Sequence, residues 1–166
     1  MYSFLDYKNI KIRYRSEGKG KAVIFLHGFL ENLTMWNPFI TELSTMNRVV
    51  TIDLLGHGQT GCLGYVHTME NQTEMVMAVL KHLHLSKYIL VGHSMGGYVA
   101  LQLADLYPQN IKGLCLMNST ALPDSAEKKI NRDRGIKAVK HNKRTFIKVA
   151  IPNLFSEKNK SIFRKE

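Results

Sequence analysis

A Gly-His-Ser-Met-Gly run at residues 92–96 could carry nucleophilic chemistry, because it places Ser94 between closely spaced glycines. The apolar run 88–91 precedes it, and a helical pattern follows Gly97. A strand, a tight turn and a helix are what a nucleophile elbow needs, since the serine must stand at the tip of a strained turn. Glycine has no Cβ, so strand and helix can approach closely there. The run nominates Ser94 as a nucleophile, which requires a histidine base held by a carboxylate.

The elements around Ser94 predict an α/β fold. Strands alternate with helices, which predicts a mostly parallel sheet with helices on both faces. The predicted strands are residues 10–15, 22–26, 48–52, 88–91 and 111–117, and the predicted helices are 35–43, 69–83, with Thr68 as N-cap, and 96–107.

Four loops should meet at one edge of that sheet. Residues 27–29, 53–60, Ser94 and 118–120 each follow a predicted strand. Functional loops of such sheets lie at the carboxyl ends of the strands. The sequence therefore predicts that these four segments surround Ser94.

The chain changes character after Pro123. Residues 1–120 carry a net charge of +2 and residues 121–166 a net charge of +8, and the later segment is helical with no strand pattern. An anionic partner is one interpretation. We favour a solvated helical face, because no nucleic-acid motif or interleaved aromatic residue accompanies the charges. The predicted organisation is a core at 1–120 and a second helical segment at 121–166, with no nucleic-acid partner.

Composition sets further bounds. The chain of 166 residues is 45% hydrophobic and 22% charged, which suits one globular core. No apolar run reaches the roughly 20 residues that span a bilayer, and no secretory signal is visible, so we expect a cytoplasmic protein. Cys62 and Cys115 have neither metal-ligand nor disulfide spacing, and we expect Cys115 to be buried. No metal or cofactor is predicted.

Three motifs resemble the α/β-hydrolase superfamily in order and spacing. They are His-Gly-Phe at 27–29, Asp-Leu-Leu-Gly-His-Gly at 53–58 and Gly-His-Ser-Met-Gly-Gly at 92–97. The resemblance covers residues 1 to about 120, and residues 121–166 resemble the start of the helical cap that many members carry. Among members, the chain is similar to small cytoplasmic esterases, acyl hydrolases, and related lyases and enol-lactonases.

The resemblance implies an oxyanion hole and an acyl pocket. The backbone N–H groups of Phe29 and Met95 would stabilise the oxyanion formed when Ser94 attacks a small acyl substrate. Phe29, Leu30 and Trp36 would line the acyl pocket.

The nearby titratable residues have structural interpretations. By the resemblance, His27 packs the loop after its strand, and His57 is likewise structural. His93 should point away from Ser94 by strand alternation. Asp53 should brace its own loop through hydrogen bonds.

The resemblance also implies an acid and then a histidine downstream of Ser94. His141 is the only histidine there, and Asp124 is the carboxylate that follows the last predicted strand, so Ser94, Asp124 and His141 form one formal triad. We favour the alternative that the last two strands, with their acid and histidine loops, are absent. The expected protein is then a truncated serine hydrolase of esters, thioesters or lactones. A non-catalytic remnant or binding protein, or a lyase or carbon–carbon hydrolase of the same fold, are the other hypotheses.

Overall fold

A computed structural model describes residues 1–162 of this chain. The chain divides into two compact units, residues 1–121 and a second unit that begins at Leu122. The first unit contains the predicted sheet, and the second contains only helices among its described residues.

The first unit is built on a six-stranded sheet. The strands are β1 Tyr2–Tyr7, β2 Ile10–Glu17, β3 Lys21–Leu26, β4 Asn47–Ile52, β5 Tyr88–His93 and β6 Ile111–Met117. The strand order is β1-β2-β4-β3-β5-β6. The pairs β3–β4, β3–β5 and β5–β6 are parallel, whereas β1–β2 and β2–β4 are antiparallel. The predicted mostly parallel sheet is confirmed.

Helices cover both faces of this sheet, as predicted. Trp36 and Ile40 pack on Phe25 and Val49 on one face. The helices are α1 Asn37–Leu43, α2 Met69–His82 and α3 Met95–Leu106, and short 3-10 turns span Leu33–Trp36 and Pro108–Asn110. Helices α2 and α3 pack on the face opposite Trp36, in a larger cluster that includes Ile24.

Helix α2 begins at the residue that the sequence predicted. The Thr68 hydroxyl accepts the N–H of Asn71, and the Asn71 side chain accepts the N–H of Thr68, both at 3.2 Å. This reciprocal capping satisfies two N–H groups that a helix leaves unpaired.

Strand register brings the predicted loops to one edge. Leu26, the last residue of β3, lies opposite Ile52 of β4 and Gly92 of β5. His93 in turn lies opposite Met117 of β6. The carboxyl ends of four strands are therefore level, and the loops that follow them meet around Ser94.

Strand β6 is the edge of the sheet in the described part of the chain. Its Leu114 and Met117 are exposed, and so is Cys115. The expectation that Cys115 is buried is wrong, because an edge strand lacks a neighbour on one side. The backbone N–H and C=O groups along the open side of such a strand are a template for pairing with another chain, and exposed apolar side chains favour that pairing.

The second unit is helical, as predicted. Its elements are α4 Ala126–His141, α5 Lys143–Ala150, a 3-10 turn Pro152–Leu154 and α6 Glu157–Ile162. The side chain of Ser125 caps α4, and that of Asn142 caps α5. Within residues 1–162, no helix combines the length and the apolar character that a membrane crossing requires.

Candidate active site

Ser94 occupies a strained turn between a strand and a helix. Strand β5 ends at His93, α3 begins at Met95, and Ser94 has φ +49° and ψ −112°. A non-glycine residue in such a conformation costs on the order of 1–3 kcal/mol and persists only where its surroundings fix it. We call residues 92–97 the elbow turn.

Glycines in the elbow turn allow strand and helix to touch. A Cβ on Gly92 would lie 2.4 Å from the carbonyl oxygen of Gly96. A Cβ on Gly96 would lie 2.2 Å from the carbonyl oxygen of Leu26. Neither neighbour can yield, because both are backbone atoms, so the local sequence sets how tightly the turn closes.

Three hydrogen bonds hold the backbone of Ser94 in place. Its N–H donates to the carbonyl of Met117 at 3.0 Å. Its carbonyl accepts the N–H of Gly97 at 3.0 Å and the hydroxyl of Ser119 at 2.8 Å. These bonds fix the position of Ser94 against β6 and the first turn of α3.

The hydroxyl of Ser94 makes no hydrogen bond with the rest of residues 1–121. Ser94 is the N-cap residue of α3, but its side chain makes no capping bond. No histidine of residues 1–121 donates to or accepts from this hydroxyl. The adjacent N–H of Met95 belongs to the first turn of α3, where helical N–H groups lack partners and the helix dipole favours negative charge.

His27 fixes the loop that follows β3. This side chain is fully buried, and its Nε2 accepts the N–H of Leu54 at 2.9 Å. Nε2 is therefore unprotonated, and Nδ1–H donates to the carbonyl of Gly28 at 2.8 Å. The predicted structural role of His27 is confirmed.

That hydrogen bond also orients the N–H of Phe29. The carbonyl of Gly28 and the N–H of Phe29 belong to one planar trans peptide, so they point in opposite directions. Because His27 holds the carbonyl, the direction of the Phe29 N–H is fixed as well. A Cβ on Gly28 would lie 3.1 Å from the Cβ of Ser94, so this loop passes directly beside the elbow turn.

Burial keeps His27 neutral. Desolvation lowers its pKa below the ordinary value of 6.5, and the neighbouring His57 lowers it further. The hydrogen bond to Gly28 opposes this shift but is the smaller effect.

Asp53 braces the surrounding loops, as predicted. Its carboxylate accepts the N–H of Leu33 at 2.7 Å and the N–H of Gln59 at 2.9 Å. Arg13 lies 3.6 Å away as its charge partner. The buried carboxylate therefore joins the loop after β3 to the loop after β4.

The three residues expected to line an acyl pocket differ in exposure. Phe29 is 52% exposed and Leu30 is 38% exposed, so both are accessible beside Ser94. Trp36 is 1% exposed and packs on Phe25, with ring centroids 4.9 Å apart. The expectation for Trp36 is wrong, because its ring is part of the core beneath α1.

The structure does not bring Asp124 and His141 together. Asp124 lies just before α4, and His141 is the last residue of that helix. At 1.5 Å per residue, the two are separated by roughly 25 Å along the helix. Asp124 instead pairs with the guanidinium of Arg132, which lowers the pKa of its carboxyl group. Asp124 therefore cannot orient the imidazole of His141 as a triad acid.

Sequence reasoning missed Glu31, and it placed Ser119 near Ser94 without its hydrogen bond. Glu31 accepts the N–H of Gly28 at 2.5 Å and contacts Nδ1 of His93 at 2.9 Å. Ser119 donates to the carbonyl of Ser94. The position of Ser119, directly after β6 at the level of Ser94, was a usable signal, whereas nothing local links Glu31 to His93. Among residues 1–162, no three His, Cys, Asp or Glu side chains converge as a metal site would need.

Known proteins similar to this chain are hydrolases and related enzymes. Residues 21–155 match the profile of the alpha/beta hydrolase fold family. A putative esterase/lipase of Haemophilus influenzae is 32% identical over 140 residues, which are 83% of this chain and 48% of that protein. The dihydrolipoyllysine-residue acetyltransferase component of an acetoin cleaving system from Pseudomonas putida is 36% identical over 106 residues, which are 64% of this chain and 29% of that protein.

A solved structure shows the same fold at similar identity. A thermophilic esterase from Thermogutta terrifontis superposes with a TM-score of 0.86 at 31% identity, and the match covers 99% of this chain and 63% of the esterase. The matches span 29–48% of the length of the curated relatives.

Proposed function

Because this chain belongs to the α/β-hydrolase family, we propose that it carries the nucleophile of a serine hydrolase. The family and its esterase relatives support a hydrolase. Within that class, the proposed substrates are carboxylic esters, thioesters or lactones, and the proposed nucleophile is Ser94.

The free hydroxyl of Ser94 carries this proposal. A serine at a helix N-cap ordinarily accepts a backbone N–H of the first turn, and losing that bond costs about 1 kcal/mol. Ser94 makes no such bond and also holds φ at +49°. A serine with a purely structural role would relax into the capping conformation, whereas a nucleophile has to keep its hydroxyl available.

The proposed reaction proceeds through an acyl-enzyme. A base takes the proton of the Ser94 hydroxyl as its oxygen attacks the substrate carbonyl carbon, and the carbonyl oxygen becomes negative. The N–H groups of Phe29 and Met95 stabilise that oxyanion. Collapse expels the alcohol or thiol with the proton, and water then releases the acid from Ser94.

The proposal requires an imidazole from elsewhere in the whole protein. No imidazole of residues 1–121 bonds to the Ser94 hydroxyl, and a serine hydroxyl without a base is a weak nucleophile. The match with the solved esterase covers 99% of this chain and 63% of that esterase.

Covalent labelling tests the assignment of Ser94. An alkyl fluorophosphonate should modify the native protein, and peptide mass spectrometry should place the adduct on Ser94. Ser94→Ala should abolish labelling, and Ser86→Ala, at an exposed serine in another loop, should leave it unchanged. Labelling that survives Ser94→Ala, or an adduct on another residue, would show that Ser94 is not the nucleophile.

A further inference from the structure

One carboxylate oxygen joins the loop after β3 to the elbow turn. Oε2 of Glu31 accepts the N–H of Gly28 at 2.5 Å and lies 2.9 Å from Nδ1 of His93. His93 immediately precedes Ser94 at the end of β5. Glu31 is 62 residues from His93 in sequence, so the contact joins the two segments that carry the proposed oxyanion donors.

The same glutamate closes its own loop. The N–H of Glu31 donates to the carbonyl of Gly28 at 3.4 Å, while its side chain takes the N–H of Gly28. Between them Leu30 holds φ +64°, a conformation that favours glycine. The two contacts of Glu31 with Gly28 oppose the relaxation that this backbone strain would otherwise drive.

The contacts of Glu31 with Gly28 and His93 affect both the direction of the Phe29 N–H and its distance from Ser94. The carbonyl of Gly28 lies on the peptide that contains this N–H, and the N–H groups of Glu31 and His27 hold that carbonyl in place. A shift of Gly28 would therefore rotate the proposed oxyanion donor. Since His93 moves with Ser94, Glu31 also sets the spacing between the donor and the nucleophile.

The carboxylate is close to the reacting atoms. A Cβ placed on Gly28 would lie 2.7 Å from Oε2 of Glu31 and 3.1 Å from the Cβ of Ser94. These distances put the carboxylate oxygen within about 6 Å of the Ser94 Cβ. Polar side chains so near a nucleophile affect rate when they fix its geometry, since a misplacement of about 1 Å can cost about 100-fold.

We propose that Glu31 is a positioning residue. Through its contacts with Gly28 and His93, it fixes the distance and direction of the Phe29 N–H relative to Ser94. This inference rests on the proposed function and deepens it. Glu31 acts through two hydrogen bonds, so Gln, whose side-chain oxygen can accept both, should replace it better than Ala.

The first test compares oxygen esters with thionoesters in the native protein. A sulfur anion gains little from the oxyanion donors, so misalignment should slow the oxygen ester more. We expect Glu31→Ala to lower kcat for the oxygen ester roughly 10- to 100-fold at similar KM, and to lower the ratio of kcat for the oxygen ester to kcat for the thionoester. Glu31→Gln should restore most of the oxygen-ester kcat and most of this ratio. The control is Glu42→Ala, at an exposed residue of α1. Equal losses on both substrates would make Glu31 merely structural and overturn the proposal.

A second test needs no turnover. Glu31→Ala should shift the backbone amide resonances of Gly28 and Phe29 and the ring nitrogen resonances of His93, while Glu42→Ala should leave them in place. Unchanged resonances in Glu31→Ala would overturn the proposal that Glu31 positions Gly28 and His93. If the whole native protein turns over no ester and its Ser94 is not labelled, the proposed function fails, and these resonances still decide whether Glu31 joins the two segments.

A double-mutant cycle tests whether the two side chains act together. We expect each single variant, Glu31→Ala and His93→Ala, to slow the labelling of Ser94. The double variant should slow it by less than the product of the two single fold-losses, because each variant breaks the same contact. Multiplicative losses would show that Glu31 does not act through His93.

Discussion

The hydroxyl of Ser119 donates a hydrogen bond of 2.8 Å to the carbonyl oxygen of Ser94. This is the one side-chain bond to the Ser94 backbone within residues 1–162, and it comes from the loop after β6. It fixes the turn from the side opposite the loop that carries Phe29. Ser119 also lies against Gly97, where a Cβ would be 2.2 Å from its hydroxyl oxygen.

We predict that Ser119→Ala loosens the elbow turn. The loss of one hydrogen bond should lower the free energy of unfolding by about 1 kcal/mol, measured by urea denaturation. Fluorophosphonate labelling of Ser94 should slow roughly threefold to tenfold, because the hydroxyl is less well placed. Ser86→Ala is the control. Labelling at the wild-type rate would show that the backbone bonds of Ser94 suffice to hold it.

We predict that Gly92→Ala disrupts the first unit. A Cβ there would meet the backbone of Gly96 and Gly97 at 2.4–2.6 Å, so strand and helix must separate. The free energy of unfolding should fall by about 3 kcal/mol or more. Gly64→Ala is the matched control, because a Cβ at Gly64 meets nothing within 4 Å, and its effect should stay within about 0.5 kcal/mol. Similar losses of unfolding free energy in both variants would contradict the close packing of β5 against α3 at Gly92.

We predict that His27 makes folding stability depend on pH. Burial lowers its pKa in the folded state, so the unfolded chain binds the proton first. The free energy of unfolding should therefore fall as the pH drops through the ordinary value of 6.5 and toward the lower folded value. Denaturation at several pH values measures this slope.

A variant isolates the contribution of His27. His27→Gln should be less stable at neutral pH and should show a shallower fall below pH 6.5 than the wild type. Ser86→Ala, at an exposed residue that does not titrate in this range, should keep the wild-type slope. An unchanged slope in His27→Gln would mean that His27 is not the responsible group.

The long periodic elements and the spaced motifs were predictable from the sequence. Strand β3 is a continuously apolar run, α2 has a capping residue and an apolar face, and Ser94 lies where strand and helix patterns meet. Each of these signals is local. Strand β1 was missed because it is mostly exposed, and its pairing with β2 gives no strong periodicity of its own.

The remaining errors concern relationships that local pattern does not specify. Whether Trp36 faces a pocket or the core depends on how its turn packs against Phe25. The exposure of Cys115 depends on the place of β6 in the sheet order. The pairing of Glu31 with His93 joins segments far apart in sequence. The separation of Asp124 from His141 depends on α4 running unbroken to His141, because a helix of that length holds its ends apart.

We predict that Trp36 and Phe29 contribute to different properties. Trp36→Ala should lower the free energy of unfolding by about 3–5 kcal/mol, because a large buried ring leaves a cavity. Phe29→Ala should change stability by less than about 1 kcal/mol, because that ring is half exposed. Phe29→Ala should also weaken reversible binding of a long-chain phosphonate before it reacts with Ser94. Equal binding by wild type and Phe29→Ala would remove Phe29 from the proposed acyl pocket.

We predict that residues 1–166 alone hydrolyse a chromogenic short-chain ester no faster than Ser94→Ala does. The oxyanion donors without a base leave only a residual rate, at least about 1,000-fold below that of a complete serine hydrolase. The same residues within a natural polypeptide that supplies an imidazole should turn the ester over, and Ser94→Ala should abolish that turnover.

Folding has to be measured beside this activity, because the exposed apolar edge of β6 could aggregate residues 1–166 and abolish turnover without any defect in chemistry. A soluble chain that unfolds cooperatively and lacks turnover would attribute the loss to the missing base. Strong turnover by residues 1–166 that Ser94→Ala abolishes would show that a base is already present. His141→Ala would then be the next variant, since His141 is the only histidine after Ser94, and its loss of turnover would mean that His141 reaches Ser94 without Asp124.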